Sequence, residues 1–164
     1  MWLADVEKNN DVYADGLLSN LYWWLTSANK AKMYDPLLHR LVQNLMKKNF
    51  YKLLYELKQL GCIVIHGNFH RLFVKTNKRD LDEAMTHINF VTKTINENPL
   101  FRYINLTPNE FWKILLFKDY YNYAGIKESN PETVHFKYDV CLHLPEAVQE
   151  KYKLTICEYI LKVH

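Results

Sequence analysis

The chain has 164 residues, 49% of them hydrophobic and 15% aromatic, and a formal net charge of +3. This apolar content excludes an intrinsically disordered chain, and the length favours one domain. No apolar run approaches the roughly 18 residues that a membrane-spanning helix needs, and three scattered cysteines are too few for a disulfide framework. We therefore expect a soluble intracellular protein with no membrane partner.

The basic residues are concentrated in one part of the sequence. Residues 36–79 hold nine Lys or Arg against one carboxylate, Glu56, so this stretch carries +8 while the rest of the chain carries −5. Such a stretch is either a solvated surface or a surface that contacts nucleic acid or an acidic partner. The candidate contact residues are Lys47, Lys48, Lys52, Arg71, Lys75, Lys78 and Arg79.

Two helices are predicted in the first third of the chain. The spacing of the leucines predicts the first between about residues 14 and 26. Asp35 can cap the second, Pro36 suits its first position, and Gly61 suits the residue just after its end. We expect the Leu and Met residues of this second helix to form one buried face that packs on a sheet.

The pattern then changes to that of β-strands. Residues 62–74 predict two strands joined by a tight turn at Gly67 and Asn68, which both tolerate positive φ. Asp80 suits the N-cap of a helix that extends to about Asn98. Further strands are predicted at 101–106, 111–117 and 120–126, followed by a polar loop at 127–137 and a last helix after Pro145.

This order of elements indicates an α+β fold in three parts. Residues 1–35 form an N-terminal helical segment, residues 36–126 a core of helix, hairpin, helix and hairpin, and residues 127–164 a loop and the last helix. That helix has no capping residue before the sequence stops. We therefore expect the chain to be a fragment of a larger one, truncated within its last helix.

Two stretches carry sequence words of a known family. Residues 60–74 resemble the palm hairpin of family B DNA polymerases, whose usual pattern is an apolar run, Tyr-Gly-Asp-Thr-Asp-Ser and a second apolar run. Residues 111–126 are similar to the second palm hairpin of that family, which usually contains Lys-Lys-Arg-Tyr-Ala-Gly-Leu. Short motifs occur at 21–25, 34–40, 44–48 and 122–127. They resemble the degenerate second polymerase half of a replicative member of this family. The resemblance implies a degenerate, palm-like α+β fold with flanking long helices.

The first hairpin departs from the family pattern at its two acidic positions. Polymerase palms hold two metal ions, and Mg²⁺ prefers carboxylate oxygen as a ligand. Here the two positions are Asn68 and His70, which offer a neutral amide oxygen and an imidazole nitrogen. No Asp or Glu lies between Glu56 and Asp80. We therefore predict a degenerate metal site, with no catalytic residue and no bound metal in this segment.

The second hairpin departs from the pattern as well. Residues 120–123 read Tyr-Tyr-Asn-Tyr where the family has Lys-Lys-Arg-Tyr. By resemblance, Tyr121 and Tyr123 occupy primer-binding positions, but the lysines that contact phosphates are replaced. Because phosphate neutralisation supplies much of the affinity for DNA, we expect duplex binding in the manner of a polymerase to be lost.

The resemblance implies a non-catalytic scaffolding segment of a nuclear replicative DNA polymerase. Its partners would be the second subunit of that polymerase and the replicative helicase, with DNA bound through the parent chain. Mg²⁺ and a cysteine-bound metal or iron–sulfur cluster would belong to the parent chain outside this segment, which itself would hold no cofactor. The alternative is an active or single-strand nucleic-acid-binding module that uses the basic stretch 36–79.

Overall fold

A computed structural model describes residues 12–28, 30–32 and 34–163 of the chain. The elements in chain order are helices α1 (Val12–Thr26) and α2 (Pro36–Gln59), strands β1 (Ile63–Gly67) and β2 (Leu72–Lys75), helix α3 (Leu81–Asn96), strands β3 (Trp112–Asp119), β4 (Asn122–Lys127) and β5 (Val134–Tyr138), and helix α4 (Glu146–Val163). The predicted α+β class is confirmed. Its palm-like character remains a prediction, and residues 1–11 of the predicted N-terminal segment lie outside the described residues.

The chain divides into two compact units, Met1–Lys52 and Leu53–His164. In the described part of the first unit, α1 buries Ala14 but leaves Trp23 and Trp24 both about half exposed. Adjacent positions on a helix point about 100° apart, so the two indole rings cannot both face inward.

Both ends of α2 form as the sequence predicts. The Asp35 side chain accepts a hydrogen bond of 2.8 Å from the backbone N–H two residues later. At the other end Gly61 has a φ of 84° and donates to the Lys58 carbonyl at 3.1 Å, while Cys62 donates to the Leu57 carbonyl at 3.0 Å. These two bonds form a Schellman motif, which satisfies carbonyls left free at the helix end and directs the chain into β1.

The prediction that α2 buries a single continuous apolar face is wrong for its N-terminal half. Leu53 and Leu57 are buried, whereas Leu37, Leu41 and Leu45 are exposed. The reason is helical geometry: at 100° per residue, Leu37 and Leu41 lie on the side of the helix opposite Leu53 and Leu57. The leucines therefore surround the helix and do not line one stripe.

Strands β1 and β2 form the predicted antiparallel hairpin. Its last ladder pair is Gly67 with Leu72, so the connection is the four residues 68–71 and is longer than the tight turn predicted at Gly67 and Asn68. The register shifts between Val64 and His66, and this irregularity brings His66 opposite Phe73.

Helix α3 begins at the predicted N-cap. The Asp80 carboxylate accepts a hydrogen bond of 3.3 Å from the backbone N–H of Glu83. Val91 and Ile95 are buried on one face of the helix. His87 Nε2 lies 3.0 Å from the Leu60 carbonyl oxygen, and because a carbonyl only accepts, the ring donates from Nε2 and ties α3 to the end of α2.

The strand predicted at 101–106 is wrong. The alternating pattern there is overridden by Pro99, which begins a 3₁₀ turn, Pro99–Phe101, that buries the Phe101 ring. The Asn96 side chain then donates to the Leu106 carbonyl at 3.1 Å and accepts from the Leu106 N–H at 3.0 Å. Because a side chain satisfies both backbone groups of Leu106, this residue needs no neighbouring strand.

Strands β3, β4 and β5 form an antiparallel sheet in that order. The first two confirm the strands predicted at 111–117 and 120–126. The loop predicted at 127–137 is wrong at its end, because β5 pairs along β4 from Val134 to Tyr138. His135 and Lys137 mask an alternation in which Val134, Phe136 and Tyr138 face one side.

Both faces of this sheet are covered by other elements of the same unit. On one face Ala124, Ile126 and Tyr138 form a core with Ile160 of α4. On the other face, the β1–β2 hairpin places the Phe73 ring 4.9 Å from the ring centroid of Phe117 and 5.5 Å from that of Tyr123. The side chains of β4 therefore alternate between a helix-facing core and an aromatic, hairpin-facing core.

Among the described residues, no helix combines the length and apolar content needed to cross a membrane.

Gly125 in β4 is the point at which a side chain would be least tolerated. A Cβ atom at this position would overlap the Ile114 carbonyl oxygen and lie 3.0 Å from the Trp112 ring. Both neighbours belong to the paired strand β3, and the backbone oxygen cannot move aside without breaking the ladder. Glycine at this position is thus required for the sheet to close at its observed spacing.

We predict that Gly125→Ala destabilises the protein by roughly 2 kcal/mol or more, because the methyl group forces β3 and β4 apart. Gly16→Ala is the matched control, since a Cβ there has no heavy atom within 4 Å and Ala is the better helix former. Urea unfolding measures both. Equal stability of Gly125→Ala and the unsubstituted chain would contradict the close approach of β3 and β4.

Candidate functional site

The two predicted metal positions lie in the connection between β1 and β2. The Asn68 backbone N–H donates to the Arg71 carbonyl at 2.9 Å and closes the turn. The Asn68 side-chain oxygen accepts a hydrogen bond of 2.9 Å from the His70 N–H and another of 2.8 Å from the Arg71 N–H. Asn68 is therefore the residue that holds the turn together, through both its backbone and its side chain.

This geometry determines what chemistry Asn68 can offer. A side-chain amide has one acceptor oxygen with two lone pairs, and here that oxygen already accepts two backbone N–H groups. His70 is exposed and contributes its backbone N–H to the turn. Within residues 12–28, 30–32 and 34–163, no cluster of three or more His, Cys, Asp or Glu side chains has the arrangement of a metal site.

The two predicted primer-binding positions have different environments. Tyr123 is only 4% exposed, and its ring lies between Phe73 at 5.5 Å and Trp112 at 5.9 Å. Tyr121 is 58% exposed and meets the neighbouring Tyr120 ring edge-on at 5.1 Å. Of this pair, only Tyr121 presents a ring to solvent.

Lys137 is a neighbour of both positions that the sequence analysis missed. Its ammonium group lies 5.0 Å from the ring centroid of Tyr120, 5.8 Å from that of Tyr121 and 5.4 Å from that of Tyr123. Arg71, from the turn of the other hairpin, lies 6.0 Å from the Tyr120 ring. These distances fit cation–π contacts. Residue alternation in 134–138 was the signal that would have placed Lys137 on this face.

The turn between β3 and β4 is closed by a second side-chain network. The Asp119 carboxylate accepts from the Tyr121 N–H at 2.8 Å and from the Asn122 side-chain amide, which lies 2.9 and 3.0 Å from its two oxygens. These hydrogen bonds, that of the Asn122 side chain first, hold the pKa of Asp119 below its usual value. The only carboxylate at this turn thus acts as an acceptor for the turn itself.

The predicted contact residues of the basic stretch are exposed. Lys47, Lys48 and Lys52 lie on α2, and Arg71, Lys75, Lys78 and Arg79 lie on the β1–β2 hairpin and the loop after it. Lys78 forms an ion pair with Glu83 at 3.3 Å. The two groups belong to different units of the chain.

None of the predicted site residues is a cysteine, and none lines the polar cavity near the end of β4. Cys62 and Cys141 are buried, and burial raises the pKa of both thiols, so they stay protonated at neutral pH. A cavity of about 360 Å³ near the end of β4 is lined in part by Lys127, His135 and Lys153. Lys127 is already engaged there, with Glu110 at 2.9 Å and the Trp112 ring at 5.1 Å.

These observations define two antiparallel hairpins whose tips are closed by side chains of their own turns. The chain belongs to the protein family described as "Domain of unknown function (DUF1744)", whose model matches residues 1–126. Among its curated relatives, a DNA polymerase epsilon catalytic subunit of Arabidopsis thaliana is 36% identical over 163 residues, which cover 96% of this chain and 8% of that protein.

Other relatives are DNA polymerase epsilon catalytic subunits as well. That of Schizosaccharomyces pombe is 32% identical over 171 residues, covering 99% of this chain and 8% of that protein. That of Saccharomyces cerevisiae is 30% identical over 125 residues, covering 76% of this chain and 6% of that protein. The chain thus spans less than a tenth of the length of these relatives. The predicted resemblance rested on short motifs at 21–25, 34–40, 44–48 and 122–127, which resemble the degenerate half of this catalytic subunit. The identity to these relatives confirms the match to the subunit.

We predict that Asn68→Ala lowers the free energy of unfolding by about 1–2 kcal/mol, because two backbone N–H groups lose their acceptor. Asn68→Asp is the matched control, since its carboxylate keeps an acceptor oxygen in the same place, and it is expected to stay within about 0.5 kcal/mol of the parent. Urea unfolding of the three chains measures the difference. Equal loss in both variants would mean that the turn does not depend on this oxygen.

We also predict that the Asp119 pKa, measured by carboxyl NMR titration, lies below its usual value of about 3.9 and rises in Asn122→Ala. Because the pKa of Asp119 is lower in the folded state than in the unfolded state, ionised Asp119 stabilises the fold at pH values above its unfolded-state pKa. This contribution is lost as the pH falls through the folded-state pKa. Asn122→Ala should therefore reduce the acid dependence of stability below about pH 4. An unchanged Asp119 pKa in that variant would show that the amide is not its principal partner.

Proposed function

We propose that this chain is a non-catalytic structural segment of the catalytic subunit of a DNA polymerase epsilon and that it serves in nuclear DNA replication. The family membership and the names of the curated relatives support the parent protein. Because the chain spans so little of those relatives, the activity of the whole subunit is part of the proposal. The segment contributes a folded pair of hairpins to that subunit, and no chemical step.

The observation that carries the non-catalytic role is the state of the Asn68 oxygen. A two-metal mechanism needs ligand oxygens that face outward and carry negative charge. The oxygen at this position is neutral and already accepts two backbone N–H groups, at 2.9 and 2.8 Å. Metal binding there would require the turn to give up both hydrogen bonds in return for one amide ligand.

The buried position of Tyr123 in the second hairpin supports the same proposal. Tyr123 lies in the aromatic core, so its ring is unavailable to a primer strand. The partners that fit a structural segment are proteins: the second subunit of polymerase epsilon and the replicative helicase, with DNA bound elsewhere in the parent chain. Mg²⁺ and a cysteine-bound metal or iron–sulfur cluster would likewise belong to other parts of that chain.

A single-strand nucleic-acid-binding module is the second candidate. The observation in its favour is that Arg71 lies beside the partly buried Tyr120 ring and Lys137 beside the exposed Tyr121 ring at the β3–β4 turn, where a base can stack and a phosphate can pair. Oligonucleotide binding measured across a salt titration separates the two candidates. A steep loss of affinity with salt supports the binding module, and weak association with little salt dependence supports the structural segment.

Restoring acid at the first hairpin tests the proposal directly. We predict that Asn68→Asp combined with His70→Asp gives no primer extension with Mg²⁺ or Mn²⁺, because the lysines of the second hairpin are also replaced. An active family B polymerase in the same assay is the positive control, and urea unfolding checks that the double variant is folded. Primer extension by the variant or by the unsubstituted chain would contradict the non-catalytic role.

A further inference from the structure

Helix α2 carries leucines on more than one side, and within residues 12–28, 30–32 and 34–163 only one of these sides is buried. Leu53 and Leu57 are buried. Leu37 and Leu41 on the opposite side, and Leu45 between the two sides, are 73%, 56% and 53% exposed. Neighbouring exposed leucines of this kind mark an interaction surface, and no described residue covers this one.

The exposed side of α2 has a definite charge. Arg40, Lys48 and Lys52 are exposed and lie in the row of side chains directly beside the three leucines, whereas Lys47, also exposed, points away from them. No Asp or Glu occurs in α2 before Glu56. Among the described residues, none of these four cations has a carboxylate oxygen within the 4 Å of an ion pair. The apolar strip therefore has one basic margin, formed by Arg40, Lys48 and Lys52, with no counter-charge among the described residues.

We infer that the first four to five turns of α2 bind an acidic amphipathic helix. Leucines at i, i+4 and i+8 present the spacing that a partner helix packs against, and unpaired cations beside them match Asp or Glu on the margins of that partner. Residues 36–52 would span about 24 Å at 1.5 Å per residue, so the partner helix has a similar length. This inference deepens the proposed function and depends on it, because it assigns one surface by which the segment contacts another protein.

The leucines favour a protein partner over nucleic acid. A phosphate backbone is recognised by cations and polar groups, and the basic residues alone would suit either ligand. Three exposed leucines in the middle of the same surface add nothing to phosphate binding, whereas they supply the apolar centre of a helix–helix interface. The combination of an apolar strip and a basic margin is what specifies an acidic, amphipathic ligand.

Fluorescence anisotropy with the 164-residue chain tests the inference. The probes are a labelled peptide of three heptads with Leu at positions a and d and Glu at e and g, the same peptide with Lys in place of Glu, and a single-stranded oligonucleotide of about 20 nucleotides. We expect the acidic peptide to bind and the basic peptide not to bind. Leu41→Ser with Leu45→Ser, and separately Lys48→Gln with Lys52→Gln, should each weaken binding of the acidic peptide at least tenfold.

Two matched pairs serve as controls, because the side chains that they replace are also exposed but lie in other elements: Leu142→Ser with Leu154→Ser, and Lys118→Gln with Lys151→Gln. Neither should change the affinity. NMR chemical-shift changes confined to residues 36–52 of the unsubstituted chain give a second readout that needs no variant. Peptide binding that is unaffected by the leucine pair overturns the inference, as does oligonucleotide binding that needs Lys48 and Lys52 but not the leucines. Primer extension, by contrast, tests only the non-catalytic role, so the two can fail separately.

Discussion

The ring of Phe73 is the central contact between the β1–β2 hairpin and the three-stranded sheet, and the His66 ring packs beside it, 5.6 Å from that of Phe117. The Phe73 ring lies 4.9 Å from the ring centroid of Phe117 and 5.5 Å from that of Tyr123, distances at which aromatic pairs attract each other. The two hairpins belong to separate sheets, so no ladder of backbone hydrogen bonds joins them. The relative placement of their tips, with Arg71 beside Tyr120, therefore depends on this packing.

The residues that carry the family resemblance serve this architecture. Tyr123, Ala124 and Ile126 are buried on alternate faces of β4, and Gly125 lets β3 approach where a side chain would overlap a carbonyl. Asn68 closes the other hairpin by accepting two backbone N–H groups. Residues at the positions of these motifs thus serve packing and turn formation in this chain. This is the physical basis of the proposed structural role.

The sequence could predict those parts of the fold that depend on local interactions. The caps at Asp35 and Asp80 and the glycine at 61 depend on interactions within a few residues, and all three are confirmed. The errors arose where distant contacts decide. The Asn96 side chain forms hydrogen bonds with both backbone groups of Leu106, and the strand expected there does not form. Residues 134–138 pair with β4 and form a strand despite their polar residues. At the site, residue type alone ranked Tyr121 and Tyr123 equally, because only tertiary packing distinguishes an exposed ring from a buried one.

A double-mutant cycle on Phe73→Leu and Phe117→Leu tests most directly whether aromatic packing joins the two hairpins. Urea unfolding of the unsubstituted chain, both single variants and the double variant gives the coupling free energy, for which contact between the rings predicts about 0.5–1.5 kcal/mol. Phe73→Leu paired with Tyr152→Leu is the control, because Tyr152 packs on the other face of the sheet, and additivity is expected. Additive effects of Phe73 and Phe117 within about 0.3 kcal/mol would contradict the account.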